Sequence, residues 1–166
     1  MDKKEIELYL KLLGQELLKC GNSGEIVLAG GAVMLLVIKN RDMTKDIDAY
    51  FGSSSEAIKI AVKKIANEHN LREDWLNDGV KGFFYGTPPQ DLWADYPGLR
   101  VYTIDPEYLF AMKAIAARPE DQPDLKALIN YLGLKDAKQG LEIIQKYIPE
   151  NLLTIKTKYL IEDLIP

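Results

Sequence analysis

Residues 27–51 read VLAGGAVMLLVIKNRDMTKDIDAYF, two apolar segments separated by a glycine pair and followed by two aspartates. The segment after the glycines, Ala32–Ile38, is apolar throughout, which fits either a buried helix or a strand. The glycine pair in front of it favours a helix. Glycines at such a position bring bare backbone N–H groups close to phosphate oxygens. The pattern therefore predicts a strand, a phosphate-binding turn at Gly30 and Gly31, and a short buried helix.

Two carboxylates follow this turn, Asp46 and Asp48, on either side of the apolar Ile47. Alternate side chains of a strand share one face, so the aspartates are expected to project together while Ile47 points into the core. Two carboxylates held side by side repel each other, and a cation between them removes that cost. A divalent metal ion beside a phosphate-binding turn indicates phosphoryl or nucleotidyl transfer.

Length, charge and cysteine content limit the class of protein. The 166 residues fit one compact domain or a small core with a helical addition. The formal net charge of −4 argues against broad non-specific nucleic-acid binding. The single cysteine, Cys20, excludes an internal disulfide. The first residues lack a signal-peptide pattern, and no apolar run reaches membrane-spanning length, so we expect a cytoplasmic protein without membrane association.

The remaining patterns predict an α+β fold, a small mixed sheet flanked by helices with a helical C-terminal portion. We expect a core of residues 1–104 and a helical part of residues 105–166 packed on it. Strands are predicted over residues 25–29, 46–51 and 99–104, with a short strand near 80–85. Helices are predicted over residues 4–20, 56–68, 106–118, 124–132, 136–147 and 150–164.

Three basic side chains lie in the connection between the helix and the aspartates: Lys39, Arg41 and Lys45. They supply positive charge suited to a polyanionic ligand, and Lys45 is predicted to bind nucleotide. The alternative is that they are solvated surface residues. A later aromatic group is expected to pack in the core, with a nucleoside- or partner-binding surface as the alternative: Trp75, Phe83, Phe84, Tyr85 and Trp93.

The strand, the Gly-Gly turn, the helix and the Asp-x-Asp strand resemble the nucleotidyltransferase (polymerase-beta-like) superfamily. More narrowly, the chain looks like the bacterial abortive-infection, AbiEii-like nucleotidyltransferase toxins and their uncharacterised relatives. Those proteins continue with a lysine-bearing helix and an Arg-x-x-Asp-x-x-Asp-Leu segment. The matching text here is the helix that carries Lys113, followed by Arg118 to Leu125, RPEDQPDL.

The resemblance implies roles for individual residues. Gly30 and Gly31 would hold the nucleotide phosphates, and Asp46 and Asp48 would ligate Mg²⁺, with Mn²⁺ as a substitute. Lys113 would contact phosphate and Asp124 would be a distal catalytic carboxylate, so we expect both to face the aspartate pair across one cleft. The alternatives are a surface lysine for Lys113 and, since Pro119 and Pro123 favour a helix start near residue 124, an N-cap for Asp124. The segment departs from the superfamily pattern where Ala32 replaces a Ser or Thr and where residues 99–104 carry no third carboxylate.

The resemblance therefore implies a Mg²⁺-dependent enzyme that moves a nucleotidyl group from an NTP to a tRNA or protein hydroxyl. It also implies a toxin with a cognate antitoxin as partner. Two alternatives remain at this point. The first is a catalytically silent nucleotide- or partner-binding module with the same fold, and the second is a structural helical protein in which the glycines and aspartates are incidental.

Overall fold

The computed structural model describes residues 1–166, and its five strands and seven α-helices confirm the predicted α+β class. The chain forms two compact units. The first contains Met1–Gly82 and Gln90–Ile104, and the second contains Phe83–Pro89 and Asp105–Pro166. The division into domains at residues 104 and 105 stays a prediction, and each unit is described by itself below.

The first unit is built on a five-stranded mixed sheet with the strand order β3-β2-β1-β5-β4. The central strand β1 pairs antiparallel with β2 and parallel with β5. At the edges, β3 pairs parallel with β2, and β4 pairs antiparallel with β5. The strand bounds are β1 Gly24–Leu28, β2 Ile47–Phe51, β3 Leu76–Asn77, β4 Gln90–Tyr96 and β5 Leu99–Ile104.

Helices α1 (Lys3–Lys19) and α3 (Ser55–His69) pack together against one face of this sheet. Ile58 of α3 reaches the start of β1, where a Cβ on Gly24 would lie 3.0 Å from its Cδ1. Every second strand residue contributes to the core on this side, as the period of a strand requires. The buried set is Ile26, Leu28, Ile47, Ala49, Phe51, Leu99 and Val101.

The segment after the glycine pair is helical, as predicted. Helix α2 (Gly30–Val33) continues directly as a π-helix over Met34–Ile38. The wider π-helical turn is uncommon and was not visible in the apolar pattern. It ends at Lys39 in the left-handed conformation, φ 62°, where the chain turns back toward β2.

The middle of the chain differs most from the sequence prediction. The predicted strand near residues 80–85 is wrong, because Gly79–Phe83 forms a 3₁₀-helix. Two strands were missed, β3 and β4. The two-residue β3 is too short for a periodic signal, whereas β4 forms an edge strand whose alternation is blurred by a register shift between Leu92 and Ala94.

The second unit is helical and centred on α4 (Pro106–Ala116), which packs against the other three helices. Asp105 caps α4 by accepting hydrogen bonds from the backbone N–H groups of Glu107 and Tyr108, as its Asp-Pro sequence predicts. The predicted last helix is shorter at its start, because Glu150–Leu152 is a 3₁₀-helix. The other helices are α5 Gln122–Leu132, α6 Ala137–Tyr147 and α7 Ile155–Leu164. None of the chain's helices combines the length and apolar character that crossing a bilayer requires.

Candidate nucleotide and metal site

The pairing of β1 with β2 brings the glycine turn next to Asp48. Leu28 lies opposite Ala49 in the antiparallel register, and the backbone N–H of Ala29 donates to the carbonyl oxygen of Asp48 at 2.8 Å. The next residue along the chain is Gly30, where the strand gives way to helix α2. The fold therefore brings together a predicted phosphate-binding residue and a predicted metal ligand that are 18 positions apart in sequence.

Gly30 leaves space for the Asp48 carboxylate. Its φ of +55° lies in the left-handed region, which side chains rarely adopt. A Cβ at this position would also lie 2.8 Å from Asp48 Oδ2, closer than real contacts allow. The backbone angle therefore favours glycine here, and a side chain at this position would also push the Asp48 carboxylate away.

Gly31 has a different set of neighbours, Thr44 and Arg41. A Cβ on Gly31 would lie 2.6 Å from Thr44 Oγ1 and 3.4 Å from Arg41 Nη1. The guanidinium of Arg41 thus lies over the second glycine, while the carboxylate of Asp48 lies over the first. A positive and a negative group consequently lie beside consecutive glycines of one turn.

Asp46 and Asp48 flank Ile47, whose side chain is fully buried. Strand β2 begins at Ile47, so Asp46 immediately precedes the strand rather than opening it as predicted. Both aspartates are half-buried. Asp48 lies within the strand and projects from the face opposite Ile47, whereas the expected projection of Asp46 on the same face stays a prediction. Thr44 holds this entrance to the strand, because its buried hydroxyl donates to the carbonyl oxygen of Asp46 at 2.9 Å.

Two contributors to this arrangement were not resolved by sequence reasoning. Arg41 belonged to the predicted basic group, but nothing in the sequence singled it out from Lys39 and Lys45. Thr44 was missed altogether, and the available signal was a β-branched hydroxyl residue two positions before Asp46. Lys45 is exposed, and its predicted role in nucleotide binding stays a prediction.

The chain contains no group of three or more His, Cys, Asp and Glu side chains arranged to hold a metal ion. The predicted metal ligands Asp46 and Asp48 would offer two carboxylates. This number suits Mg²⁺, which usually keeps several waters and takes one or two carboxylates together with substrate phosphates. The close approach of the Asp48 carboxylate to the glycine turn is consistent with such use, so the residues present fit the ion.

Lys113 and two aspartates form a buried ionic cluster in the second unit. Lys113 Nζ lies 2.6 Å from Asp121 Oδ1 and 3.0 Å from Asp124 Oδ2, and the three side chains are between 7% and 15% exposed. The ammonium group has three protons to donate, so it can serve both carboxylates at once. The contact between Lys113 and Asp124 was not predicted, and the expected approach of both residues to Asp46 and Asp48 stays a prediction.

Asp124 is not the N-cap that the prolines suggested. Helix α5 begins at Gln122 with Pro123 in its first turn, which places Asp124 at the third helical position. Its carboxylate is held by Lys113. The prediction missed this because a proline is tolerated within the first turn of a helix, where its absent N–H has no partner to lose.

One family model matches the chain, over residues 9–139, and it is described as "Nucleotidyltransferase of unknown function (DUF6036)". The match includes the glycine turn, Asp46 and Asp48, and the Lys113 cluster, and it ends just inside α6. Comparison with curated proteins and with solved structures gives no match.

Proposed function

The chain belongs to this family of nucleotidyltransferases of unknown function, and we propose that it is a Mg²⁺-dependent enzyme acting on an NTP. In the proposed reaction a hydroxyl of a macromolecule attacks the α-phosphorus of the nucleotide. A new phosphodiester or phosphoester bond forms, the bond between the α- and β-phosphates breaks, and pyrophosphate leaves.

The observation that carries this proposal is the contact between Gly30 and Asp48. A turn without side chains lies directly against a carboxylate, so a phosphate held on the backbone N–H groups of Gly30 and Gly31 would be next to a metal ligand. Neither feature alone specifies nucleotidyl transfer. Their juxtaposition matches what the reaction needs, namely phosphate oxygens and a cation in one place.

Asp46 and Asp48 would hold Mg²⁺ at this position. When bound, the ion supplies positive charge to the phosphate oxygens as charge develops on the transferred group and on pyrophosphate. The chain itself contributes rigidity, because Thr44 holds the carbonyl of Asp46 and Ala29 holds that of Asp48. One of the two aspartates accepts the proton of the attacking hydroxyl.

Arg41 would bind the β- or γ-phosphate of the nucleotide. Its guanidinium lies 3.4 Å from the position of a Cβ on Gly31, which places a fixed positive charge beside the turn. Arginine presents several N–H donors in a planar fork that suits phosphate oxygens. The turn, the carboxylate pair and Arg41 together provide contacts for each part of a metal-bound triphosphate.

The acceptor in this proposal is a tRNA or a protein hydroxyl, and the protein acts as the toxin of a bacterial toxin–antitoxin or abortive-infection system in the cytoplasm. Support for this finer assignment comes from the likeness of RPEDQPDL and its preceding lysine helix to the AbiEii-like toxins. In that reading Lys113 contacts phosphate and Asp124 is the distal catalytic carboxylate.

A second candidate is a catalytically silent module that binds nucleotide or a partner with the same fold. Two observations favour it. Ala32 is fully buried and offers no hydroxyl after the glycine pair. Asp124 is already neutralised by Lys113 at 3.0 Å, and no third acidic group joins a metal-binding cluster.

Transfer of label from an NTP separates the two candidates. The full chain is incubated with Mg²⁺, total RNA or total protein, and each NTP labelled at either the α- or the γ-phosphorus. The proposal expects label in RNA or protein from the α-position only, and none with Asp48→Asn. Binding of NTP without any label transfer would contradict the enzyme and support the silent module.

A further inference from the structure

An apolar row crosses the sheet on the face opposite helices α1 and α3. Tyr50 of β2 pairs with Val27 of β1, Val27 pairs with Tyr102 of β5, and Tyr102 pairs with Leu92 of β4. Directly paired residues of neighbouring strands project from the same face. These four side chains, called the tyrosine row below, therefore lie side by side across four strands.

The tyrosine row is accessible over most of its length. Tyr50 is 42% exposed and Leu92 is 56% exposed, Tyr102 is half-buried, and only Val27 is buried. The alternate residues of β1 and β2 fill the core beneath α1 and α3, and the row lies on the other face.

The row also adjoins the candidate site. Asp48 and Tyr50 are two residues apart on β2, so they share a face and their Cα atoms are separated by about 7 Å. The glycine turn begins at Gly30, three residues beyond Val27 on the neighbouring strand. A ligand whose phosphates lie at Gly30 and Asp48 would therefore place its next portion over the tyrosine row.

We propose that the tyrosine row binds the nucleobase of the NTP by stacking. This inference rests on the proposed function and names the part of the substrate that the sheet recognises. Aromatic side chains stack on any base because every base has a flat π-face. Phosphates at the turn and a base on the tyrosines would position the α-phosphorus near Asp48.

The charges beyond the row favour a single base over a polynucleotide. The next cross-strand row contains Glu25, Arg100 and Asp95, with Arg100 3.7 Å from each carboxylate. The formal charge of this second row is −1, which repels the phosphate backbone of a polynucleotide. Grooves that bind single-stranded nucleic acid are instead positively charged. An RNA acceptor running along this face is therefore disfavoured.

A polar cavity of about 350 Å³ lies beside Glu25 and Arg100. The edge of a base stacked on the tyrosine row would extend into it. Its lining includes Ser23, Ser53, Glu25 and Arg100, which offer hydrogen-bond donors and acceptors. Arg100 neighbours Tyr102 on β5, and its interaction with the Tyr102 hydroxyl is the largest cause that raises the pKa of this guanidinium.

The test compares binding of ATP with binding of inorganic tripolyphosphate, both with Mg²⁺, by calorimetry on the full chain. Tyr102→Ala and Tyr50→Ala should each weaken ATP binding about 5- to 100-fold, the range seen when a stacking aromatic is removed. Tripolyphosphate affinity should not change. Tyr102→Phe should retain ATP affinity, since it keeps the ring, and Tyr131→Ala serves as a control at an exposed tyrosine of the second unit.

Several results would overturn the inference. Unchanged ATP affinity in both alanine variants would exclude stacking on the row. An equal loss for ATP and tripolyphosphate would mean that the substitutions damage the phosphate site instead. A raised KM for the acceptor with unchanged ATP affinity would assign the row to the acceptor. If the wild-type chain binds neither ATP nor tripolyphosphate, the proposed function fails together with the inference. The other three results would contradict only the proposed binding of the base to the tyrosine row.

Discussion

Gly30 lies against Asp48 so closely that a single added carbon on the glycine would meet the carboxylate oxygen Oδ2 at 2.8 Å. The contact joins the end of the central strand to its antiparallel neighbour. It also joins the two features from which a nucleotide site was predicted, the glycine turn and the aspartate pair. The effect of disturbing this contact on nucleotide binding can be measured separately from the effect on protein stability.

Gly30→Ala should weaken Mg²⁺-dependent NTP binding by at least tenfold and destabilise the protein. The substitution imposes a left-handed conformation on alanine, which costs about 1–2 kcal/mol, and it pushes the Asp48 carboxylate away. Calorimetry measures the binding, and urea unfolding measures the stability.

Gly21→Ala is the matched control for this substitution. Gly21 has φ +73° but nothing within 4 Å of an added Cβ, so it carries the strain without the contact. Similar losses of stability in the two variants, with binding lost only in Gly30→Ala, would separate the two effects. Retention of binding by Gly30→Ala would argue against the site.

Arg41→Gln should lower the affinity for Mg²⁺-bound NTP about 10- to 100-fold. A hydrogen bond to a charged group contributes about 1.5–3 kcal/mol, and this guanidinium lies beside Gly31. Lys63→Gln makes the same change of charge at an exposed position of α3 and should have little effect. Equal affinities for the Arg41 and Lys63 variants would remove Arg41 from the site.

Lys113→Met should destabilise the protein by about 3–5 kcal/mol. Removing the ammonium leaves Asp121 and Asp124 without their cation in a largely buried position. Asp124→Ser should also destabilise, because the residue pairs with Lys113 rather than capping α5. Lys138→Met, which removes an exposed lysine 4.0 Å from Glu142, should change stability by less than about 1 kcal/mol. Thermal unfolding of the three variants measures these changes in stability. An unchanged unfolding midpoint for Lys113→Met would contradict the claim that the Lys113 cluster stabilises the protein.

The pair between Glu16 of α1 and Lys64 of α3 predicts a pH dependence of stability. The hydrogen bond from Lys64, 2.7 Å long, is the largest cause holding the pKa of Glu16 below its ordinary value of 4.5. A lowered pKa contributes stability above pH 4.5, and this contribution is lost as the pH falls through the folded-state pKa. The same contact raises the pKa of Lys64 above 10.5, so its contribution is lost only in strong base.

Glu16→Gln should therefore lower the urea midpoint at pH 7, and the difference from the wild type should shrink steadily below pH 4.5. Urea titrations at several pH values between 3 and 7 measure both effects. A constant difference between the two proteins across that range would show that the pair does not contribute through the charge of Glu16.

Local patterns predicted the parts of the fold that depend on periodicity and on turn chemistry. The buried alternation of β2, the glycine turn and the Asp-Pro start of α4 are all encoded within a few residues. Strand β4 and the helical turn at Gly79–Phe83 depend instead on pairing with distant segments and were not predicted. An edge strand half exposed on both faces has no regular alternation to detect.

For the site, sequence spacing predicted which residues are chemically suited, but not which of them meet. The Gly30–Asp48 contact arises from the antiparallel register of β1 and β2, and the proximity of Arg41 to Gly31 brings together residues ten positions apart in sequence. Likewise, nothing local indicates that Lys113 contacts both Asp121 and Asp124, since this requires α4 to pack against the start of α5.

The most direct test of the site is calorimetric titration of the wild-type chain, Asp46→Asn and Asp48→Asn with ATP, in the presence and absence of Mg²⁺. Circular dichroism of the variants checks that they remain folded. We predict that the wild type binds ATP in a Mg²⁺-dependent manner and that each asparagine variant loses this dependence. Equal ATP affinity in all three proteins with Mg²⁺ present would contradict the metal role of the aspartate pair.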